Sequence, residues 1–471
     1  MLIDFTVANW MSYRDEAELN MLGSLERQHK ETLAKLPGWR SKYALPVAAV
    51  YGGNASGKTA LFKALAALKV MATVDVGTDG VLPVEAFRLD DRDEPTSLDV
   101  TFLSGSNVYR LYVEATPDAV VFESLELVRE KGESLVYERR APEGGGPDEY
   151  SFGEGFFADL GHVGYAAQST RGNRLFLESA VAQNVSELEE AHGWFADTLE
   201  LVGVGSQAWS FATAAGTQEG FLDFAGEALS RLDTGISRLV AEPVGSEALP
   251  RDASLRRRIA ELGEDEVVAV ILDVEAGDYG FEMLTVRSRG GKPEVQRLRT
   301  VHVGPDGREH VFSLGMESSG TQRLMGLLPM LFDIAGPGGG AGSKVYVVDE
   351  LDRCMHTMLT MRLVSDFLAG CGPDTRKQLM FTTHDLLLMD QSVMRRDEMY
   401  IAQRGTDGCS ELVGLAEFKG IRFDKDLVGS YLDGRFGGIP MLGGGGCPWL
   451  GRRAGSPRAG RRCASTATCA G

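Results

Sequence analysis

Tyr51-Gly52-Gly53-Asn54-Ala55-Ser56-Gly57-Lys58-Thr59 is the stretch on which the reading of this 471-residue chain turns. A short apolar run, residues 44–51, leads into it. Residues 60–68, Ala-Leu-Phe-Lys-Ala-Leu-Ala-Ala-Leu, follow with helix formers and apolar positions every third or fourth residue. Strand, glycine-rich loop, helix is the context in which such a loop cradles phosphate. Its glycines let backbone N–H groups close on an anion without side-chain clash, and the helix offers the positive end of its dipole. On this reading Gly52, Gly53, Asn54, Ala55, Ser56 and Gly57 wrap the phosphates of ATP. Lys58 reaches the β- and γ-phosphates, and Thr59 holds Mg²⁺.

Three further motifs extend the pattern. Val345-Tyr346-Val347-Val348-Asp349-Glu350 puts two acids at the carboxyl end of an apolar strand, where parallel sheets bind ligands. Asp349 is expected to hold Mg²⁺ through water and Glu350 to polarise the attacking water, although an apolar run ending in Asp-Glu also describes an ordinary surface turn. Glu317-Ser318-Ser319-Gly320-Thr321 opens a helical pattern, setting hydroxyls and N–H groups at a helix start. In isolation that is a plain serine N-cap. Gly320 lies 29 residues before Asp349, however, room for one helix, a loop and a strand. Thr382-Thr383-His384-Asp385 ends another apolar strand, with His384 placed to contact the γ-phosphate and Asp352 where a loop would cross a dimer interface. His356 has no assigned role.

The bulk numbers narrow the class. A net charge of -19 argues against nucleic-acid binding driven by bulk charge. Arg256-Arg257-Arg258 and residues 27–42 are candidates for a local basic groove, though a solvated surface is the more ordinary reading of both. Six cysteines without a CxxC pair give no zinc pattern and suit a reducing, cytoplasmic setting. The N-terminus lacks the layout of a signal peptide, and no apolar run approaches the ~20 residues that cross a bilayer, so no membrane role is expected.

The organisation expected is α/β. Residues 1–174 form the first half of a nucleotide-binding head: a strand over 2–8, an excursion over 23–43, the phosphate loop, and an antiparallel sheet that includes a hairpin of residues 97–103 and 107–113. Helical periodicity over 173–201 and 221–239 predicts a helical insertion at 175–262. Residues 263–442 complete the head. Residues 443–471 carry five arginines, no acid and three cysteines, leaving a body of 43 basic and 67 acidic residues, near -24. That segment reads as a disordered tail or a misread end of the frame more readily than as a tether for nucleic acid or an acidic partner.

Together these residues resemble the ABC-type ATPases of the OLD-like, RloA-like group, "AAA family ATPases" of bacterial abortive-infection and anti-phage loci. The resemblance rests on Asn9-Trp10-Met11-Ser12-Tyr13-Arg14-Asp15, residues 51–59, residues 317–323, and Asp349-Glu350-Leu351-Asp352-Arg353 with His356. Thr382-Thr383-His384-Asp385, Arg395-Arg396-Asp397-Glu398 and residues 431–440, Tyr-Leu-Asp-Gly-Arg-Phe-Gly-Gly-Ile-Pro, complete it. It implies an ABC-type P-loop NTPase head with an antiparallel β subdomain and a helical insertion. It also implies a homodimer or larger homo-oligomer with two ATPs between two heads, Ser318, Ser319 and Gly320 acting on the partner's nucleotide. The signature departs from the Leu-Ser-Gly-Gly-Gln form of transporters, and Gln168 is only a candidate for the Q-loop glutamine.

The resemblance implies an ATPase that senses or regulates within an anti-phage module, acting with a separate effector protein of nuclease or Toprim type. OLD nucleases carry a Toprim domain where this sequence has 56 residues between Asp385 and Leu442. Asp424-Lys425-Asp426 reads as an exposed loop more readily than as a catalytic acid pair. The alternatives are a RecF- or SMC-like DNA-maintenance ATPase and a slow ATP-dependent scaffold.

Overall fold

The central strand, Val47–Tyr51, is buried at all five positions, the continuous apolar pattern of a strand covered on both faces. In the computed structural model it lies inside a six-stranded sheet. The order is Leu199–Val202, Lys344–Val348, Lys377–Thr383, Val47–Tyr51, Met399–Arg404, Ser410–Gly414. The first five run parallel and the last pairs antiparallel. Strand periodicity sends alternate side chains to opposite faces. Ala48 and Val50 join one core with Leu61, Leu65 and Leu68 of helix Lys58–Thr73. Val47, Ala49 and Tyr51 join a second with Leu327 of helix Ser319–Ala335 and Leu363, Val364 and Phe367 of helix Thr357–Ala369.

The structure describes residues 1–438 other than 143, 204–206, 233, 264–265, 274–280, 291, 336–341 and 419–424. The expectations for the arginine-rich segment 443–471, for Asp424 and for Ile439-Pro440 fall outside these residues. The described residues belong to one compact unit, Met1–Ile439, and no described helix is long and apolar enough to cross a membrane.

A seven-stranded antiparallel sheet covers the helix Lys58–Thr73 side. Its order is Glu149–Phe152, Gly132–Arg140, Val120–Arg129, Asn107–Ala115, Thr96–Ser104, Leu2–Ala8, Ala17–Asn20. The expected hairpin is present, closed by Ser104 opposite Asn107, with Gly105 at φ 53 supplying the left-handed turn residue. Leu98, Val100 and Phe102 alternate into the first core. Gln378, fully buried, stitches the two sheets: its side chain accepts from Leu2 N at 2.6 Å and donates to the carbonyls of Leu2 and Leu45, both at 2.9 Å.

The stretch expected to be a helical insertion, 175–262, is mixed in secondary structure. Leu199–Val202 is the edge strand of the parallel sheet. Ile236–Val244 is a strand that pairs with Lys292–Val303. The helix Phe221–Arg231 buries Phe221, Ala225 and Leu229 at fourfold spacing but cannot continue through Gly235, which sits at φ 77. Beyond it the chain has the β-branched content of a strand. A division at 262/263 therefore runs through a single sheet, Ile236–Val244, Lys292–Val303, Phe281–Arg289, Val267–Asp273, with Glu309–Ser313 on Lys292–Val303. Helices Gln207–Thr217 and Phe221–Arg231 pack Phe211 and Phe221 from this sheet onto Leu324, Leu328 and Phe332 of Ser319–Ala335.

Candidate functional site

Register brings the motifs together. Phe381, Thr382 and Thr383 lie opposite Ala49, Val50 and Tyr51, and Val348 lies opposite Phe381. The turns after 51, 348 and 383 therefore open at one sheet edge, the carboxyl end where open parallel sheets take ligands.

The phosphate loop there has the shape of an anion cradle. Gly57, at φ 108, is the N-cap of Lys58–Thr73. A Cβ on it would lie 2.8 Å from Ser410 Oγ and 3.0 Å from Tyr13 Oη, and one on Gly52 would collide with the carbonyl oxygen of Ala402. Only glycine fits either position. Lys58 is buried, and its Nζ donates to the carbonyls of Gly52 at 2.8 Å and Gly53 at 2.9 Å, bracing the loop from inside. Burial lowers its pKa, against the opposing pull of Asp349, Glu350 and Asp352. Ser56 Oγ is buried without a partner among the described residues. An orphaned hydroxyl inside a glycine cradle fits a phosphate group.

Across the edge, Thr59 Oγ1 donates to both oxygens of Asp349, at 3.2 and 3.0 Å. Thr382 Oγ1 donates to Asp349 Oδ1 at 2.6 Å and accepts from Glu350 N at 2.7 Å. A hydroxyl beside a carboxylate is an all-oxygen donor set suited to Mg²⁺. Glu350 itself occupies the left-handed region, φ 51, and its carboxylate reaches Arg353 at 3.4 Å.

The remaining expected residues sit as follows. Asp352 accepts from His384 N at 3.3 Å, tying the turn after the acid strand to the turn after Thr383. His384 is exposed and lines the same cavity of about 460 Å³ as Asn54, Lys58, Thr59 and Glu350. Ser318 and Ser319 are exposed and, with Gly320, lie outside that cavity's lining. Ser318 Oγ accepts from Thr321 N at 3.1 Å, the plain N-cap contact. A Cβ on Gly320 would stand 2.5 Å from the carbonyl oxygen of Cys354. His356 caps helix Thr357–Ala369 through Nδ1, which accepts from Met358 N at 3.2 Å. Gln168 is exposed on helix Leu160–Ser169, away from the cavity lining.

Sequence reasoning missed several contributors. Arg323 is buried and donates through Nη2 to the carbonyls of Asp349 and Glu350, both at 2.8 Å, while its Nε and Nη1 have no partner among the described residues. Its position on the signature helix, four residues after Ser319, was the available signal. Trp10 Nε1 donates to Ala60 O at 2.7 Å and Tyr13 Oη to Gly57 O at 3.2 Å, so the N-terminal turn clamps the first turn of the phosphate-loop helix. Met11, Ser12, Ala60, Glu85, Ala86, Arg88, Leu89 and Arg404 also line the cavity.

A family model described as "AAA domain, putative AbiEii toxin, Type IV TA system" matches residues 47–390. Among solved structures the chain is similar to the "SMC head domain from Thermotoga maritima", at 12% identity and TM-score 0.33, covering 88% of this chain and 98% of that one. It is also similar to an "SmcHead bound to the C-winged helix domain of ScpA", at 11% identity and TM-score 0.35, covering 88% and 96%. No curated protein matches the sequence.

Proposed function

Since this chain belongs to the AAA-domain family whose model spans residues 47–390, we propose that it binds ATP with Mg²⁺ and hydrolyses it. The observation that carries the reading is the Thr59–Asp349 contact at 3.0 Å, which joins the phosphate loop to the acid-bearing strand over 290 residues of sequence. Gly52 to Gly57 hold the phosphates through backbone N–H groups, with Lys58 as their buried cation. Thr59 and Asp349 are the residues that would hold Mg²⁺, which would supply charge neutralisation at the phosphates. Glu350 orients water for attack on the γ-phosphorus and accepts its proton. His384 stands at the same cavity as the group that reports the γ-phosphate.

Ser318, Ser319 and Gly320 lie outside the lining of their own chain's cavity, which supports a homodimer in which they meet the partner's nucleotide, with Asp352 at the junction. The family description supports a place in a two-part toxic or defence module, this chain acting as nucleotide-gated regulator and a separate protein, such as a nuclease, as effector.

Lys58→Ala is expected to abolish ATP binding by titration calorimetry, and wild-type affinity in that variant would remove the phosphate-loop assignment. Glu350→Gln is expected to bind ATP, stall, and run as a dimer by light scattering. The stalled variant, purified from its native host with ATP, should bring down a stoichiometric toxic enzyme. DNA or replication proteins in its place would overturn the regulator reading while leaving the ATPase intact.

A further inference from the structure

Lys58, Thr59 and Glu350 fix only the phosphate end of the cavity, which is too large for a triphosphate to fill. Beyond the phosphate loop its lining comes from three separate elements: Met11 and Ser12 on the N-terminal turn, Glu85, Ala86, Arg88 and Leu89 on the loop after helix Lys58–Thr73, and Arg404 at the end of strand Met399–Arg404. Among the described residues no Phe, Tyr or Trp lines it. A nucleoside base therefore finds no aromatic ring to stack on.

Arg404 takes that place geometrically. Its strand flanks the loop: Ile401 lies opposite Tyr51, and the carbonyl oxygen of Ala402 is the atom that bars a side chain at Gly52. Two residues on, Arg404 Nε donates to Gly408 O at 2.9 Å, fixing the guanidinium to the turn that follows. Leu89 meets the same turn, its Cδ1 2.5 Å from where a Cβ on Gly408 would stand, with Arg404 Nη2 3.7 Å from that point. Gly408, at φ 83, thus leaves the space in which Leu89 and Arg404 come together. Leu89 is 60% exposed, and Arg404 forms no ion pair with a carboxylate among the described residues. An uncovered aliphatic side chain beside an unpaired, oriented guanidinium presents an apolar wall and a flat cation. A planar, polarisable, uncharged ring satisfies both, whereas a phosphate would leave Leu89 in water.

We propose that Arg404 is the nucleobase platform of this cavity, stacking its guanidinium on the base, with Leu89 and Met11 as the apolar walls. The proposal rests on the nucleotide reading above and deepens it: Arg404 determines preference for a nucleoside triphosphate over a bare polyphosphate.

The test compares Mg-ATP with Mg-tripolyphosphate by titration calorimetry on the full chain. Wild type should bind ATP more tightly than tripolyphosphate. Arg404→Ala should weaken ATP by roughly five- to thirtyfold and leave tripolyphosphate unchanged, with an unaltered thermal melt because the side chain is exposed. Leu89→Ala should act in the same direction, more weakly, and Arg404→Lys should fail to restore ATP affinity, since an ammonium offers no plane. Equal losses for both ligands would make Arg404 a phosphate contact and overturn the proposal, as would no loss for either. Equal wild-type affinity for the two ligands would remove the base subsite while sparing the phosphate loop. Wild-type binding that survives Lys58→Ala would instead sink the nucleotide reading itself.

Discussion

Glu350 shows how one residue is held through both its backbone N–H and its carbonyl. Its left-handed backbone, φ 51, is costly for a residue with a Cβ and persists only where surroundings impose it. Here the N–H is taken by Thr382 Oγ1 at 2.7 Å and the carbonyl by Arg323 Nη2 at 2.8 Å, while Thr382 also holds Asp349. Thr382 is thus a positioning residue for both acids. Thr382→Val keeps the shape, removes the hydroxyl and strands a buried N–H. A loss of about 1–3 kcal/mol in stability is expected, with turnover falling roughly ten- to a hundredfold at little change in ATP affinity. Thr382→Ser should recover most of it. Denaturant melts and single-turnover hydrolysis check this, and a Val variant that turns over normally would remove Thr382 from the site.

At the scale of elements, the helix Ser319–Ala335 meets the acid-bearing turn at closest approach through Gly320, a would-be Cβ there standing 2.5 Å from the backbone oxygen of Cys354. Because that neighbour is main chain it cannot swing aside, so Gly320→Ala must push helix and turn apart. We expect about 1–3 kcal/mol of destabilisation and a hydrolysis defect larger than any loss of ATP binding, read by melting temperature and steady-state rate; a silent Ala variant would mean that the two elements are not rigidly coupled. This contact also marks the limit of what the sequence discloses. Strand, loop and helix over residues 47–73 are legible because a continuous apolar run, glycines and helix formers each point one way. Thr59 and Asp349 are legible as a pair because their motifs carry the same chemistry. Leu199–Val202 and Ile236–Val244 were lost because short apolar runs beside true helices satisfy either period. Arg323 and Thr382 stand inside motifs the sequence displays, but their contacts with the acid-bearing turn arise through helix docking and sheet register, and no local pattern marks Arg404.

At the scale of the whole molecule, segments far apart in sequence are fastened to one another, and one such contact predicts how the protein responds to pH. Arg395-Arg396-Asp397-Glu398, part of the sequence resemblance, proves to be a stitch. Arg395 is buried and bidentate on Asp397 at 2.8 and 2.7 Å, and donates to Gln28 O at 2.5 Å. Asp397 in turn accepts from Ser24 N at 2.7 Å. The excursion after residue 23 is thereby fastened to the far side of the parallel sheet. Arg395 directs its guanidinium to Asp397, leaving Glu398 buried with Oε1 unpartnered and, among the described residues, only the Arg395 N–H on Oε2. Burial pushes its pKa up to about 8, a backbone hydrogen bond opposing and Asp397 adding to the rise. The folded value lies above the unfolded one, so the folded state binds the extra proton. The contribution of Glu398 is fully present below about pH 4.5 and is lost as pH rises through about 8. Each tenfold change in proton affinity is worth about 1.4 kcal/mol, so this carboxyl alone would weaken the fold by on the order of a few kcal/mol between pH 5 and pH 8. Glu398→Gln stays neutral throughout and should be more stable than wild type at pH 8, with the gap closing towards pH 5. Parallel wild-type and variant curves in urea unfolding across that range would show that Glu398 ionises in the folded protein as it does in the unfolded chain, with Arg395 shared between both acids.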